Sequence, residues 1–215
     1  MILKIQFNYE AFSITTKIGM LVFILTATLA EASTNFGQVM DQARKGDATA
    51  QIALASMYQQ GSGVEKNPAE AVKWYRKAAE QGSSMAQLML GEAYLFGNGV
   101  SKDDAEAVKW FRKAAKQGQS DAQVHLGDMA GKGSGMPKNE REMVQWYRKA
   151  AEQDNTLGQT MLGQAYANGS GIQKDPTEAI KWYRKAADKG FPFAQSYLGD
   201  VYAKGDGIPK NDVEA

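Results

Sequence analysis

A repeat of 36 residues is the feature that most constrains how this chain can fold. The four tryptophans of the 215-residue sequence stand at positions 74, 110, 146 and 182, each 36 residues after the previous one. A leucine–glycine pair and a Gly-x-Gly triplet recur with the same spacing. A fixed period of this length is typical of repeat proteins, in which each unit packs on its neighbours. We divide the repeats into four full units and a partial fifth: 46–81, 82–117, 118–153, 154–189 and 190–215.

Each unit is predicted to contain two helices. In unit two, apolar residues recur at steps of three and four over 84–96, and Gly97 follows where a helix would end. The second helix is expected to begin at a polar cap with a Glu three residues later, as at Asp103 and Glu106. In this capping box the Glu side chain reaches back to the backbone N–H of the cap. The pattern predicts an all-α fold of stacked helix-turn-helix units.

The same spacing predicts the core. Ala107, Trp110 and Ala114 share one face of the second helix, so that small residues allow close packing and the indole fills the space beside them. Gly91 lies within the first helix, where glycine costs ~1 kcal/mol relative to alanine. Because this glycine recurs in later units, we predict that it contacts a neighbouring helix closely.

Residues 1–32 differ from the repeats and are predicted to be a secretory signal. Lys17 precedes an apolar run over 18–30, and small residues follow. As a helix this run spans about 20 Å, which is shorter than the ~30 Å hydrocarbon core of a membrane. The sequence therefore favours a periplasmic or secreted protein without a membrane span after cleavage, and the alternative is a protein anchored by the uncleaved signal. Residues 33–45 are then expected to form an N-terminal capping helix.

The composition argues against several kinds of site. Without cysteine the chain has no disulfides, thiolate ligands or cysteine nucleophiles, and its one histidine, His125, is interpreted as structural or solvent-facing. The net charge of +1 gives no general attraction to nucleic acid. Basic residues of the second helices, such as Lys109, are interpreted as a solvated face balanced by Glu106 one turn away. We therefore predict no catalytic, cofactor-binding or metal-binding residues and no nucleic-acid partner.

The repeat resembles the Sel-1-like repeat, a relative of the tetratricopeptide repeat. Its form is A-x-x-x-L-G-x-x-Y-x-x-G-x-G-V-x-x-D followed by A-x-x-W-x-x-K-A-A-x-x-G. Unit two matches this form at the following positions: Ala86, Leu90, Gly91, Tyr94, Gly97, Gly99, Val100, Asp103, Ala107, Trp110, Lys113, Ala114, Ala115 and Gly118. The resemblance covers 46–215 and implies an α/α superhelical solenoid with a concave groove. Unit three departs from the form, with Ala130 in place of the Tyr and Met143 in place of an Ala, and is therefore expected to be looser.

The resemblance also implies a function. Sel-1-like proteins are mostly adaptors or scaffolds for protein complexes, often in bacterial envelope or host-contact settings. Some Helicobacter-type members are associated with β-lactamase activity, but that group is cysteine-rich. Because this chain has no cysteine, a hydrolase of that type is the less favoured alternative, and we predict a non-enzymatic module that binds a protein or peptide.

If the first helices line the concave face, residues off their buried stripes form the binding groove. The predicted groove residues, spaced at the repeat period, are Glu92, Leu95, Phe96, Asp128, Lys132, Gln164, Asn168, Asp200 and Lys204. Leu95 and Phe96 are the predicted anchor, because large apolar side chains dominate interface energetics. The alternative is that both pack into the corner between helix and loop in unit two.

The last unit suggests a second possible function. Its first helix is expected over about 192–204, and the sequence ends where its second helix would begin. Apolar residues such as Phe193 and Tyr197 would then lack their usual partner on one side. This predicts either a truncated chain or self-association through the uncapped C-terminal helix, as in a self-assembling structural protein of the envelope.

Overall fold

The computed structural model describes residues 35–204, with side chains through Tyr202, as a succession of helices joined by short loops. The helices are α1 (35–44), α2 (Ala48–Gln60), α3 (Pro68–Glu80), α4 (Ser84–Phe96), α5 (Asp104–Lys116), α6 (Ser120–Lys132), α7 (Glu140–Glu152), α8 (Thr156–Asn168), α9 (Pro176–Ala187) and α10 (Pro192–Lys204). No strand occurs within this part of the chain. The prediction of an all-α fold with two helices per unit is confirmed.

The helices stack in chain order. From α2 onward each helix packs on the next one, both within a unit and across the boundary to the following unit. The first helices α6 and α8 also contact each other across an intervening helix, as expected on the inner side of a superhelix. This arrangement confirms the predicted α/α solenoid.

Local signals set the bounds of the helices. The Asp103 side chain accepts a hydrogen bond from the backbone N–H of Glu106 at 3.0 Å, and Asn67, Asn139 and Asp175 cap the equivalent helices in the same way. The first helix of unit two ends at Gly97, whose φ of 69° is left-handed. Both the beginnings and the ends of these helices follow the predictions.

The capping box is only half formed, and this part of the prediction is wrong. The backbone N–H of Asp103 donates to the carbonyl of Tyr94 on the preceding helix at 3.0 Å, rather than to the Glu106 side chain. Glu106 instead forms an ion pair with Lys109, one turn along α5. The N–H of the cap therefore ties the two helices of the unit together, which a purely local signal does not reveal.

The most deeply buried ring of a unit is the aromatic residue that follows its tryptophan. Phe111 is fully buried at 0% exposure, whereas Trp110 keeps 6% and carries the Lys113 ammonium over its ring at 3.9 Å. A Cβ on Gly91 would lie 2.6 Å from the Phe111 ring. The predicted close contact at the repeated glycine is confirmed, and its partner is this second ring rather than the indole.

The loop between the helices of a unit rests on the preceding unit. Gly99 has a φ of 77°, and a Cβ there would lie 2.2 Å from the carbonyl oxygen of Pro68, the first residue of α3. Gly135 bears the same relation to Asp104 at the start of α5. The second glycine of the Gly-x-Gly triplet therefore allows successive units to interlock.

A ladder of glutamine side chains crosses the unit boundaries. Buried Gln87 donates from Nε2 to the carbonyl of Ala79 at 3.1 Å and accepts at Oε1 from Gln117 Nε2 at 2.8 Å. The pattern repeats around Gln51 and Gln123. In unit four Lys189 stands where the donor glutamine would be, and Gln159 Oε1 is buried without a hydrogen-bond partner among the described residues.

In unit three, smaller residues on α6 face a larger one on α7. Ala130 is fully buried, and the Met143 sulfur lies 2.7 Å from where a Cβ on Gly131 would be. The larger side chain on α7 thus fills the volume that the smaller residues on α6 leave. The two departures from the repeat form compensate each other, because the core is packed to a fixed volume.

Part of the predicted organisation lies outside the described residues. The expected signal over 1–32 and the region of unit five after α10 are among these parts. Within the described part, α1 packs on the first unit, with the Phe36 and Tyr58 rings edge-to-face at 5.7 Å. None of the helices over 35–204 combines the length and the apolar character needed to cross a membrane.

Candidate protein-binding surface

An exposed phenylalanine divides two concavities on the side of the first helices. Phe96, the last residue of α4, is 69% exposed, although phenylalanine is usually buried in soluble proteins. One concavity lies between units two and three and the other between units one and two, and Phe96 lines both. We call the two together the Phe96 surface.

The larger concavity brings together four of the predicted groove residues. It has a volume of about 370 Å³. The predicted residues in its lining are Leu95, Phe96, Asp128 and Lys132, and the others are Lys102, His125, Met129 and Ser134. The end of α4, the middle and end of α6 and the loops that follow these helices supply these side chains.

The smaller concavity is mainly apolar. It has a volume of about 90 Å³, and its lining includes Val72, Met89 and Ala93 together with the predicted groove residue Glu92. Gln59 also faces it, but the Gln59 Oε1 atom already accepts a hydrogen bond from the Tyr75 hydroxyl at 2.9 Å. Gln59 and Tyr75 thus bond to each other, while Glu92 faces His125 of the larger concavity.

The two predicted anchor residues behave differently. Leu95 is half-buried and packs against the apolar cluster of α5 and α6. It therefore follows the alternative in which the residue packs within the protein. Phe96 projects into solvent. Of the two predicted anchors, Phe96 therefore offers the larger exposed apolar area.

Asp128 and a buried tyrosine form a polar pair beside the larger concavity. The Tyr147 hydroxyl of α7 donates to Asp128 Oδ1 at 2.5 Å. Burial, together with the neighbouring Asp128 carboxylate, raises the pKa of the Tyr147 hydroxyl well above its usual range. The hydroxyl therefore stays protonated, and the Asp128 carboxylate is held in one position.

His125 has a carboxylate neighbour that the sequence did not reveal. Its Nε2 lies 3.3 Å from Glu92 Oε1 on the preceding first helix. The imidazole stacks on Phe111, with ring centroids 4.6 Å apart and planes inclined by 14°. The carboxylate neighbour was not predicted, because it depends on two helices far apart in sequence meeting at this point.

The remaining predicted groove residues lie farther along the solenoid. Gln164 donates to the Tyr197 hydroxyl at 3.4 Å, while Asn168 and Asp200 are exposed. The side chain of Lys204 lies outside the described residues. Gln164, Asn168 and Asp200 do not line the Phe96 surface, so the predicted row is divided between two regions.

Sequence reasoning missed other residues of the Phe96 surface. Lys102 and Ser134 belong to the loops that follow the first helices, and Met129 lies in the apolar stripe of α6. The sequence carries no signal for them, because the closeness of one unit's loop to the next unit's helix depends on the stacking. The Gln87 ladder, in contrast, has a sequence signal in its 36-residue spacing.

The family is established by the match of its sequence pattern to nearly the whole described chain. The Sel1 repeat model matches five consecutive segments: 48–83, 84–119, 120–155, 156–191 and 192–215. This chain belongs to the Sel1 repeat family. Sel1 repeats are generally protein-interaction modules with a tetratricopeptide-like fold. No relative among functionally curated proteins matches the chain.

Solved Sel1 structures support the assignment. A Sel1 repeat protein from Oxalobacter formigenes is 40% identical, with 89% of this chain and 76% of that chain covered and a TM-score of 0.79. The protective antigen c5321 of uropathogenic Escherichia coli is 36% identical and has the same TM-score of 0.79. That match covers 85% of this chain but only 39% of the antigen. Cysteine-rich protein B of Helicobacter pylori is more distant, at 26% identity and a TM-score of 0.51, covering 62% of this chain and 96% of that chain.

The Sel1 unit boundary brings a serine, a histidine and an aspartate to one concavity, but their polar atoms are engaged with other residues. The Ser134 hydroxyl donates to Asp104 at 2.5 Å, and Asp128 accepts from Tyr147. His125 faces Glu92 instead. A nucleophile needs a hydrogen bond to its base, and the base needs one to an orienting group. The observed contacts do not form such a relay.

Proposed function

We propose that this Sel1 protein acts by binding a protein partner at the Phe96 surface, without chemistry of its own. The observation that carries the proposal is a 69% exposed phenylalanine between two concavities on a stacked helical scaffold. A rigid surface loses little conformational entropy when a partner binds, which favours affinity. An exposed aromatic side chain with concavities on both sides is a typical centre of an interface.

A pair of matched variants tests this proposal. Phe96 and Phe193 are exposed to a similar degree, 69% and 66%, but only Phe96 lines the two concavities. We expect Phe96→Asp to lose a partner that wild type captures by chemical cross-linking from the native envelope fraction, and Phe193→Asp to retain it. Equal capture by all three proteins would overturn the assignment of this surface. Unchanged circular dichroism melts would show that the variants remain folded.

We also propose that the protein works in the periplasm or outside the cell. The support is the basic residue and the short apolar run before the repeats, over 17–30. Fractionation with N-terminal sequencing of the mature protein tests it. Cleavage near residue 32 is the expected result, an intact N-terminus on a membrane-bound protein would support the anchored alternative, and an intact N-terminus on a cytosolic protein would overturn both.

Self-assembly is a second candidate function, which the exposure of Phe193 favours. This residue lies at the start of α10, and its ring is 5.7 Å from that of Phe191. If copies associate there, the molar mass measured by light scattering rises with concentration, and Phe193→Asp abolishes the rise. A strict monomer at high concentration would exclude this candidate.

A further inference from the structure

We propose that the Phe96 surface binds an extended acidic segment of its partner, with a small aliphatic side chain on one side of Phe96 and a larger apolar side chain, beside a carboxylate, on the other. This inference rests on the proposed function and specifies the partner chemistry of the same surface. The sizes and the charges of the two concavities lead to it independently.

The volumes assign the two apolar side chains to the two concavities. The smaller concavity, of about 90 Å³, is below the ~150 Å³ that accommodates benzene in a protein cavity. Its apolar lining by Val72, Met89 and Ala93 therefore suits a small aliphatic group. The larger concavity, of about 370 Å³, has room for an aromatic side chain against Phe96 and Met129.

The charges place the carboxylate in the larger concavity. Asp128 is hydrogen-bonded to the neutral Tyr147 hydroxyl and keeps its negative charge, while His125 faces Glu92. Lys132 has no ion pair or hydrogen bond with any described residue, although it lines the concavity at the end of α6. Lys102 also lines it, and its ion pair with Asp104 is long at 3.5 Å and exposed. The lining thus holds two lysines and one aspartate, so an added carboxylate would complement the positive charge.

The position of Phe96 between the concavities indicates that a bound segment crosses this ring. An extended chain advances about 3.3 Å per residue, so a few residues are enough to pass from one side of an aromatic ring to the other. The proposal places the acidic group on a side chain of an internal segment, and a free chain terminus at the same place is the alternative that the test includes.

Matched peptides test the inference directly. The probes are short fluorescent peptides with blocked ends, which share a valine–serine–phenylalanine core followed by two aspartates, two asparagines or two lysines. With the full chain, we expect the aspartate peptide to bind about tenfold more tightly than the asparagine peptide at low ionic strength. The lysine peptide should bind most weakly, and about 1 M salt should remove most of these differences.

Charge variants assign the preference to the two lysines. The double variant Lys102→Gln/Lys132→Gln should bind the aspartate and asparagine peptides equally, with the affinity for the asparagine peptide unchanged. Lys116→Gln removes an exposed lysine of α5 outside both concavities, and it should keep the full preference. Phe96→Ser should weaken the binding of all three peptides.

Several results would overturn the inference. They are equal affinity of wild type for the aspartate and asparagine peptides, a preference that survives in the double lysine variant, and no measurable binding of any probe. If a peptide that ends at the phenylalanine with a free carboxylate binds more tightly than the aspartate peptide, the surface recognises a chain terminus rather than an internal segment. The capture experiment with Phe96→Asp does not depend on the peptide results. A loss of capture by Phe96→Asp would support the proposed function even if the peptides show no preference for an acidic segment.

Discussion

At the scale of single residues, the repeat shows which side chains act as a pair. Gln87 is buried with both ends of its amide bonded, whereas Gln159 occupies the same place in unit four with Oε1 unpaired. The difference traces to Lys189, which replaces the donor glutamine and instead forms an exposed ion pair with Asp154 at 2.9 Å. An unsatisfied buried acceptor costs about 1–3 kcal/mol, while exposed ion pairs contribute little.

Lys189→Gln is therefore expected to stabilise the protein. The new amide can donate to Gln159 Oε1 as Gln117 does to Gln87, which should raise the free energy of unfolding by about 1 kcal/mol and the melting temperature by about 2–4 °C. Lys189→Ala is the matched control, since it removes the same ion pair without supplying a donor. If thermal melts show the two variants to be equally stable, the ladder does not contribute as we infer.

Buried tyrosines are expected to lower the stability of the folded protein at alkaline pH. Burial, with a smaller contribution from Tyr197, raises the pKa of the Tyr183 hydroxyl above its usual range. Because the folded-state pKa is raised, this contribution to stability is complete below the unfolded-state pKa of about 10 and is lost as the pH rises above it. Urea unfolding at increasing pH should show Tyr183→Phe losing less stability above pH ~10 than wild type. Parallel losses for the two proteins would contradict the assignment.

At the scale of the helix pair, a glycine against an aromatic ring sets the distance between the two helices of a unit. Gly91 faces Phe111, and Gly127 and Gly163 face Tyr147 and Tyr183 in the same way. In unit one, Ala55 takes the glycine position. Units two to four keep glycine here, although glycine is ~1 kcal/mol less favourable than alanine in a helix, because the Cβ of an alanine would overlap the ring.

Two glycine substitutions distinguish the effect of helix propensity on stability from the effect of side-chain packing. Gly91→Ala should destabilise the protein by about 1–2 kcal/mol, because overpacking against Phe111 exceeds the gain in helix propensity. Gly37→Ala in α1 meets nothing within 4 Å, so it should be neutral or stabilise by up to ~1 kcal/mol. Urea unfolding of both variants measures the difference. Similar effects in the two variants would show that the Gly91 contact is easily relieved.

Sequence alone predicts the helices but not the contacts between units. The bounds of α4 follow from an apolar period and from Gly97, which are local signals that stacking does not override. The partner of the Asp103 N–H, the contact of His125 with Glu92 and the exposure of Phe96 depend on how consecutive helices are placed. The sequence therefore predicts the candidate site as a row of positions, and only part of that row lines a concavity in the structure.

At the scale of the whole molecule, the stability of a solenoid is approximately a sum over units and the boundaries between them. The boundary between α7 and α8 combines several unfavourable features. Asp154 is the only non-glycine residue with a positive φ within 35–204. Gln159 Oε1 lacks a partner among the described residues, and the buried Thr160 replaces an apolar residue of the three preceding units. We therefore expect the boundary between units three and four to contribute less stability than it would with the features of the earlier boundaries.

We expect α8 and α9 to open before the units that precede them. Native-state hydrogen exchange should show faster amide exchange in α8 and α9 than in α2 and α3, which lie near the other end but keep the Gln51 pairing and the apolar contacts. Lys189→Gln should slow exchange in α8 and α9 more than elsewhere, because it repairs the boundary where opening begins. Uniform exchange across α2–α9 would mean that the solenoid unfolds as one cooperative unit. Preferential slowing in the first two units would show that the boundary before α8 does not control where the molecule opens.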